Sequence, residues 1–557
     1  MSNQINYSTF DSNLPRQSTS QKSAEIQDPE KATLVDSGRL PSIQNSTLLE
    51  SEKNSLGTKN GNYVYHHHHE DKRARGSAFR QILAALVAQL GTINTGMVFG
   101  FAAIANVQLQ DSNDTLVTTS DQRTWIASTS AIGTPIGCLL SGYLMDIFGR
   151  KASLIVTEVP ALIGWILISC ATNVNMIYAG RFFTGLGSGM VGAPARVYAS
   201  EVTQPHLRGM LTAFASVGVS TGVLIEYSLG SLLSWNVCAA ISAVLPLAAL
   251  LLMFLFPETP SFLISQNKPE QARISLQKFR DSNYNLDKEM NLLLNFSNKN
   301  NIKRLTGFRE ITSALLKPNA VKPFLILMLY FLIYQWTGTN AVTFYAAKIF
   351  QDSGATINKY LATVIIGIVR LVFTIVACVL CRRCGRRPLT MISAFGCGIS
   401  MIAFGIYEWI KVYWSDNNME HSWTWFPLFC LIFYTAACTL GFLVIPWIMI
   451  GELYPVQVRG LLGGFTTMSA HAFVFSVVQT FPLLTETITI HGTYLLYGFI
   501  SIFGMVYFYL CLPETKGKTL QEIEDYFSGR SDTLKTGLNS KMWMSRKLNV
   551  EKGQVLP

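Results

Sequence analysis

The sequence predicts an all-α membrane protein of two six-helix halves, and three observations carry that expectation: composition, a recurring apolar length and an internal repeat. The chain has 557 residues, of which 49% are hydrophobic and only 14% charged, and its mean hydropathy of +0.28 exceeds that of ordinary soluble proteins. Apolar stretches of about 20 residues recur, long enough at 1.5 Å per residue to cross a hydrocarbon layer of roughly 30 Å. They are centred near residues 90, 135, 162, 187, 220, 246, 334, 371, 399, 438, 472 and 502, which makes twelve spans. Several contain Gly and Pro, which spans tolerate because neighbouring helices re-satisfy the freed backbone groups.

Ahead of the first span, residues 1–78 are rich in Ser, Asn, Gln, Lys and Glu without an apolar run. They form an expected disordered tail. No cleavable signal peptide is visible. The His66–His69 run sits in that tail without the fixed geometry a metal needs, so no metal is expected. Spans one to six occupy 79–256, a charged segment occupies 257–321, spans seven to twelve occupy 322–512, and a polar tail follows over 513–557. Within the charged segment, apolar residues at helical spacing, Phe262, Leu263, Ala272, Leu276 and Phe279, predict helices outside the membrane.

Lys72, Arg73, Arg150, Lys151, Arg208, Arg382, Arg386, Arg387, Arg459 and Lys516 all fall on one side of a twelve-span alternation, together with 257–321. Basic residues flanking spans face the cytoplasm, so both termini are expected there. The net charge of +10 then reads as a topology signal, and no nucleic-acid partner is needed to explain it. The opposite side exposes the sequon at Asn113, a candidate for glycosylation. The ten cysteines fall almost entirely within spans and read as packing residues. The CRRC run Cys381–Cys384 lacks the βαβ context of a redox motif.

The two halves repeat one another. "SEVTQPHLRG" at Ser200 and "GELYPVQVRG" at Gly451 both place Glu seven positions before Arg: Glu201 with Arg208, Glu452 with Arg459. "GRK" at Gly149 pairs with "GRR" at Gly385, and "PETP" at Pro257 with "PETKG" at Pro513. A two-fold repeat of six spans is a transporter architecture with its site between the halves. Glu201 and Glu452 end spans, where a carboxylate opposes the helix dipole, so each needs a cationic partner. A cytoplasmic network of Asp146, Arg150, Arg181, Glu201, Arg208, Arg386, Glu452 and Arg459 is expected to supply those partners.

These motifs, with "DIFGRK", "GRFFTGLGSG", "PETPSFL", "QWTGTNAVTFYA", "RRCGRRP" and "IPWIMIGELYP", make the chain resemble the sugar porters of the major facilitator superfamily. The wording is similar to insect facilitated trehalose transporter-like members and to animal facilitative glucose transporters. The resemblance covers about residues 80 to 530. It implies a major facilitator fold of 12 transmembrane helices with a cytoplasmic helical linker, a multi-pass plasma-membrane location, and passage of a hexose or trehalose-like disaccharide by alternating access without a cofactor.

A sugar presents hydroxyls and flat faces, so its site needs amides and aromatic rings. By resemblance, Gln335 and Asn340 bind hydroxyls, Tyr345 lies near an outer gate and Trp447 lies beneath the sugar. The family's fifth-span glutamine falls on Ser216, its eleventh-span amide–tryptophan pair reads Ala470-His471, and Arg370 stands where an asparagine is common. Ser216 and Ala470 leave room for a larger sugar, while His471 either bonds a hydroxyl or sits neutral in the core. Arg370 is expected to donate to sugar and to form an inter-half pair with Glu226. The first span carries no acid, which favours facilitated diffusion, whereas Glu158 and Glu226 keep a proton symporter as the alternative and a non-transporting receptor as a third reading. No nucleophile, base and orienting group recur at enzyme spacing.

Overall fold

The computed structural model describes residues 78–110, 116–280, 284–299, 308–354, 357–420, 423–455, 457–530 and 534, plus residues 58–59 and 62–63. The expectations for Asn113, for His66–His69 and for most of the first tail lie outside these residues. The chain divides into two units, Met1–Glu70 and Asp71–Pro557. In the first, β1 (Thr58–Lys59) and β2 (Asn62–Tyr63) pair antiparallel.

Among the described residues of the second unit, the regular structure is all helical. Its amino-terminal half runs α1 (Phe79–Ala88), α2 (Leu90–Gln108), α3 (Ser120–Phe148), α4 (Arg150–Ser169), α5 (Val174–Val202), α6 (Pro205–Leu232), α7 (Trp235–Ser242) and α8 (Val244–Met253). Four short helices follow: α9 (Pro260–Ser265), α10 (Pro269–Phe279), α11 (Leu286–Lys299) and α12 (Phe308–Leu315). The second half runs α13 (Pro318–Trp336), α14 (Thr339–Ser353), α15 (Lys359–Arg383), α16 (Arg386–Asp416), α17 (Phe426–Leu440), α18 (Ile445–Leu453), α19 (Arg459–Thr487) and α20 (Thr489–Cys511), then α21 (Leu520–Phe527). Four spans are each built from two helices: α1 with α2, α7 with α8, α13 with α14 and α17 with α18.

Among the described residues, eleven spans are long and apolar enough to cross a membrane. The expected twelfth, α5, has 29 residues but falls short in hydropathy, because it carries Arg181 and a run of glycines and small polar residues. Those residues serve packing. A Cβ on Gly185 would lie 2.0 Å from the Ser130 carbonyl oxygen of α3, and one on Gly222 of α6 would lie 1.9 Å from the Ile93 oxygen of α2. Small residues at such crossings let backbones meet, which is how helices associate without a hydrophobic drive. The second half packs through larger side chains: Tyr330, Phe331, Phe442 and Phe508 form an aromatic cluster with ring centroids 4.5 to 6.4 Å apart.

The segment after α8 is helical as expected, with Phe262, Ala272, Leu276 and Phe279 buried. A left-handed Asn267 (φ 57°) splits it into α9 and α10. It is tied to the first half: Arg280 donates to the Val202 carbonyl at 2.9 Å and pairs with Glu289 at 2.7 Å, and the Tyr198 hydroxyl donates to the Pro257 carbonyl at 2.9 Å. The first helix after this segment, α13, starts at Pro318. The final polar segment holds a helix the sequence reading missed, α21, which opens on a Thr519–Glu522 capping box and buries Ile523 and Phe527 in the second half's core.

All ten cysteines are free, and Cys170, at the end of α4, is exposed where a packing role was expected. Chain alternation places the α3/α4, α5/α6, α15/α16 and α18/α19 turns on one side, here called the basic face.

Candidate functional site

The basic face resolves into two matching stations. In the first half, Arg150 pairs with Glu201 at 3.2 Å; in the second, Arg386 pairs with Glu452 at 2.7 Å, and Thr515 donates to the other Glu452 oxygen at 2.6 Å. The unfavourable carboxylates at the ends of α5 and α18 are thereby offset. Each pair lies within its own half, and no ion pair among the described residues joins the halves.

Each station carries a second carboxylate that sequence reasoning did not assign. Glu258 accepts from the backbone N–H groups of Arg150, Lys151 and Thr259 at 2.8 to 3.1 Å, and Glu514 accepts from Arg386, Arg387 and Lys516 at 2.9 to 3.1 Å. The Pro-Glu-Thr acid of each half thus caps the helix opened by its Gly-Arg motif, satisfying orphan donors at the positive end of the dipole. Burial raises the Glu258 carboxyl above the usual carboxylate range, against the downward pull of its three backbone donors. The signal for this cap was present, since both motifs repeat with the same order.

The rest of the expected network is corrected. Arg181 lies toward the other end of α5, fully buried, and donates to the carbonyls of Val98 (2.7 Å), Ile126 (2.9 Å) and Ala127 (3.3 Å) and to the Ser130 hydroxyl (2.9 Å). It ties α5 to α2 and α3. Arg459 turns back to the Tyr454 carbonyl at 3.1 and 3.2 Å, closing the turn that precedes its own helix. Asp146 and Arg208 are exposed and enter none of the ion pairs.

Between the halves, the break joining α13 to α14 sets the geometry. Thr337 ends α13, and Gly338 adopts φ 90°, a conformation that favours glycine. The reversal brings Asn340 onto Gln335: the Asn340 amide donates to the Gln335 oxygen, and both side chains are buried. One turn before Gln335, Phe331 meets the ring of Trp447 on α18 at 5.0 Å, and Trp447 meets His471 of α19 at 5.7 Å. The His471 ring is held by the Thr467 carbonyl, with Cys138 of α3 at 4.0 Å. Arg196 of α5, which sequence reasoning missed, lies over Trp447 at 5.8 Å and so crosses from one half to the other.

Tyr345 stands apart, stacked on Phe481 at 5.0 Å with its hydroxyl on the Val478 carbonyl at 3.0 Å. Its φ of −119° kinks α14 there. Ser216 is half-buried on α6, one turn before Ser220, which bonds Thr374 of α15 at 2.7 Å. Beside this break, Thr339, Thr343, Arg370, Tyr434, Thr435 and Thr439 of the second half and Tyr227 of the first line a small cavity of about 20 Å³, with Cys438, Val342, Ile366 and Leu443. Arg370 donates to the Thr343 hydroxyl at 2.9 Å, and Tyr227 donates to the Thr343 carbonyl at 2.7 Å.

The expected Glu226–Arg370 pair is not formed. Glu226 accepts from Ser242 of α7 at 2.9 Å and packs against Gly100 of α2, while the next residue, Tyr227, takes the side of α6 that faces Arg370. One residue of helix is about 100° of rotation, and packing sets that phase. No group of metal-ligating side chains occurs among the described residues.

Two mirrored bundles, a buried polar cavity between them and interrupted helices beside it define a multi-pass membrane carrier. The family described as "Sugar (and other) transporter" matches residues 81–527. The facilitated trehalose transporter Tret1 of Bombyx mori is 36% identical over 445 residues, covering 80% of this chain and 86% of the relative, and that of Culex quinquefasciatus is 32% identical over 464 residues, covering 83% and 89%. The chain belongs to this sugar transporter family. Among solved structures, the proton:xylose symporter XylE bound to 6-bromo-6-deoxy-D-glucose aligns with a TM-score of 0.65 at 23% identity, over 81% of this chain and 100% of that one. An inward-open XylE from E. coli aligns at 0.63 and 21%, over 80% and 99%. Both show the major facilitator fold.

Proposed function

We propose that this chain carries a hexose or a trehalose-like disaccharide down its gradient across the plasma membrane, with the basic face and both termini in the cytoplasm. The observation that supports this most is the Gln335–Asn340 amide pair, buried at a helix break beside Trp447 and the hydroxyl-lined cavity. Amides donate and accept at once, as a hydroxylated substrate requires. The similarity to Tret1 proteins favours a disaccharide, and the small Ser216 and Ala470 side chains fit that size. Alternating access follows from basic-face ion pairs that lie within each half and leave the halves free to move as bodies.

One observation favours a second reading, proton symport. Glu226 is fully buried in α6, and its Oε1 has no hydrogen-bond partner. Reconstituted protein loaded with radiolabelled trehalose or glucose separates the readings. A facilitative carrier equilibrates sugar without a pH gradient, a symporter accumulates it only with one, and a receptor moves none.

A further inference from the structure

Among the described residues, apart from Arg196, which is half-buried against Trp447, two arginines inside the spans are buried, and these two are held in opposite ways. Arg181 is fully buried and gives four hydrogen bonds to three carbonyls and one hydroxyl, so its guanidinium is used up in joining helices. Arg370 is only 6% exposed near the middle of α15, yet it gives one hydrogen bond, to Thr343, and its Nε has no partner. None of the ion pairs among the described residues includes it. The nearest acid on the facing helix in chain order, Glu226, is turned to Ser242. Arg370 instead lines the small cavity beside the α13/α14 break, which at about 20 Å³ has room for a water and admits a sugar only when the surrounding helices move apart.

A guanidinium keeps its charge at any physiological pH. A buried charge without a counter-charge is costly, and within a membrane it marks a substrate path by default. The guanidinium fork matches a carboxylate in a bidentate arrangement. Around it stand the hydroxyls of Thr339, Thr343, Thr435, Thr439, Tyr227 and Tyr434. Thr339, Thr343, Thr439, Tyr227 and Tyr434 already donate to backbone carbonyls, which leaves their lone pairs to accept from a polyol's hydroxyls. Arg370 is the one basic residue lining the cavity, so that lining balances a single negative charge, while Arg196 stands over Trp447 outside it. A phosphate monoester, carrying about 1.5 to 2 charges at neutral pH, would be left partly unpaired.

Resting on the reading of this chain as a sugar carrier, we propose that it takes a sugar acid in preference to the neutral sugar: in the opened cavity Arg370 binds the carboxylate of a uronate while the surrounding hydroxyls and the Gln335–Asn340 amides take the sugar's hydroxyls. Transport of such an anion without a coupled ion moves charge, so an interior-positive potential drives its uptake. A neutral sugar does not respond.

The test uses the full chain in proteoliposomes with radiolabelled D-glucuronate, D-glucose and trehalose, with and without a potassium–valinomycin potential. The expected result is saturable glucuronate uptake with kcat/KM at least tenfold above that for glucose, accelerated by an interior-positive potential. Arg370→Gln is expected to lower the glucuronate-to-glucose ratio of kcat/KM at least tenfold, with Arg370→Lys in between. If the wild-type protein carries glucose or trehalose while glucuronate is neither carried nor a competitor, the sugar-acid proposal is overturned and the carrier reading stands. If none of the three is carried by protein that unfolds cooperatively on heating, both fall. The wild-type comparison decides the matter even where Arg370→Gln fails to fold.

Discussion

The two halves of this carrier share a frame and differ in how they are filled. At the basic face the repeat is close: Arg150–Glu201 answers Arg386–Glu452, and Glu258 answers Glu514 as the cap of the following Gly-Arg helix. Inside the bundles the likeness ends. The first half crosses its helices backbone on backbone at glycines such as Gly185 and Gly222. The second is filled by rings. Each half has two spans built from two helices, but the first-half junctions Gln89 and Ala243 keep right-handed helical dihedrals, while those of the second half break fully, at Thr337–Gly338 (φ 90° at Gly338) and between Leu440 and Ile445. Backbone crossings leave little to rearrange, whereas side chains beside a broken helix can repack. The difference teaches that the frame is duplicated while the cavity-lining groups come mostly from the half whose helices can bend.

Four experiments break or sharpen that contrast. The same substitution should hurt the first half more. Gly185→Ala drives a Cβ to 2.0 Å from a backbone oxygen and should cost about 3 kcal/mol, whereas Gly398→Ala meets the Ile502 Cδ1 at 2.5 Å and should cost about 1 kcal/mol because the tip of that side chain can shift. Thermal unfolding of the purified variants measures both, and equal losses would erase the distinction. Next, the halves each bury an asparagine. Asn340→Ala should raise the KM for sugar by about thirtyfold, near 2 kcal/mol. Asn94→Ala removes only the partner of the Trp165 indole N–H at 2.7 Å and should lower stability with KM unchanged. Uptake kinetics at matched surface expression distinguish the two.

Neutralising the caps should treat the halves alike. Glu258→Gln and Glu514→Gln should each cost about 1 kcal/mol, the scale of a carboxylate at a helix start, and unequal melting shifts would show that the frame is less symmetric than its hydrogen bonds. The smallest effect is expected from the ion pairs, which are partly exposed: a double-mutant cycle on Arg150 and Glu201 should give a coupling of about 0.5 kcal/mol. The cycle on Arg386 and Glu452 should give slightly more, since Thr515 also holds Glu452. A reversed order would remove Thr515 from the account.

Spans, repeat and basic turns were legible because length, hydropathy and duplicated motifs report them directly. So were the acid–arginine pairs, since a carboxylate at a helix end demands a partner. Arg181 was misplaced because the sequence says that it is in a span but not how deep its neighbours' carbonyls lie. Glu226 and Arg370 were paired in error for a related reason: depth along a helix can be counted, but rotation about its axis is set by packing. The cap formed by Glu258 needed only the order of two motifs, and it was missed because each was read alone.

That cap has a consequence for synthesis. Glu258 lies 108 positions after Arg150, and Glu514 lies 128 after Arg386. At roughly 5 to 20 residues per second, the start of α4 waits on the order of 5 to 20 s for its carboxylate, and α16 a little longer. Until then each bundle has an open N-terminus, and the acid that closes it comes only after the sixth span of that half. Completion of a half is therefore marked by its last turn, so a ribosome stalled before that turn leaves a bundle with all its spans and no lock.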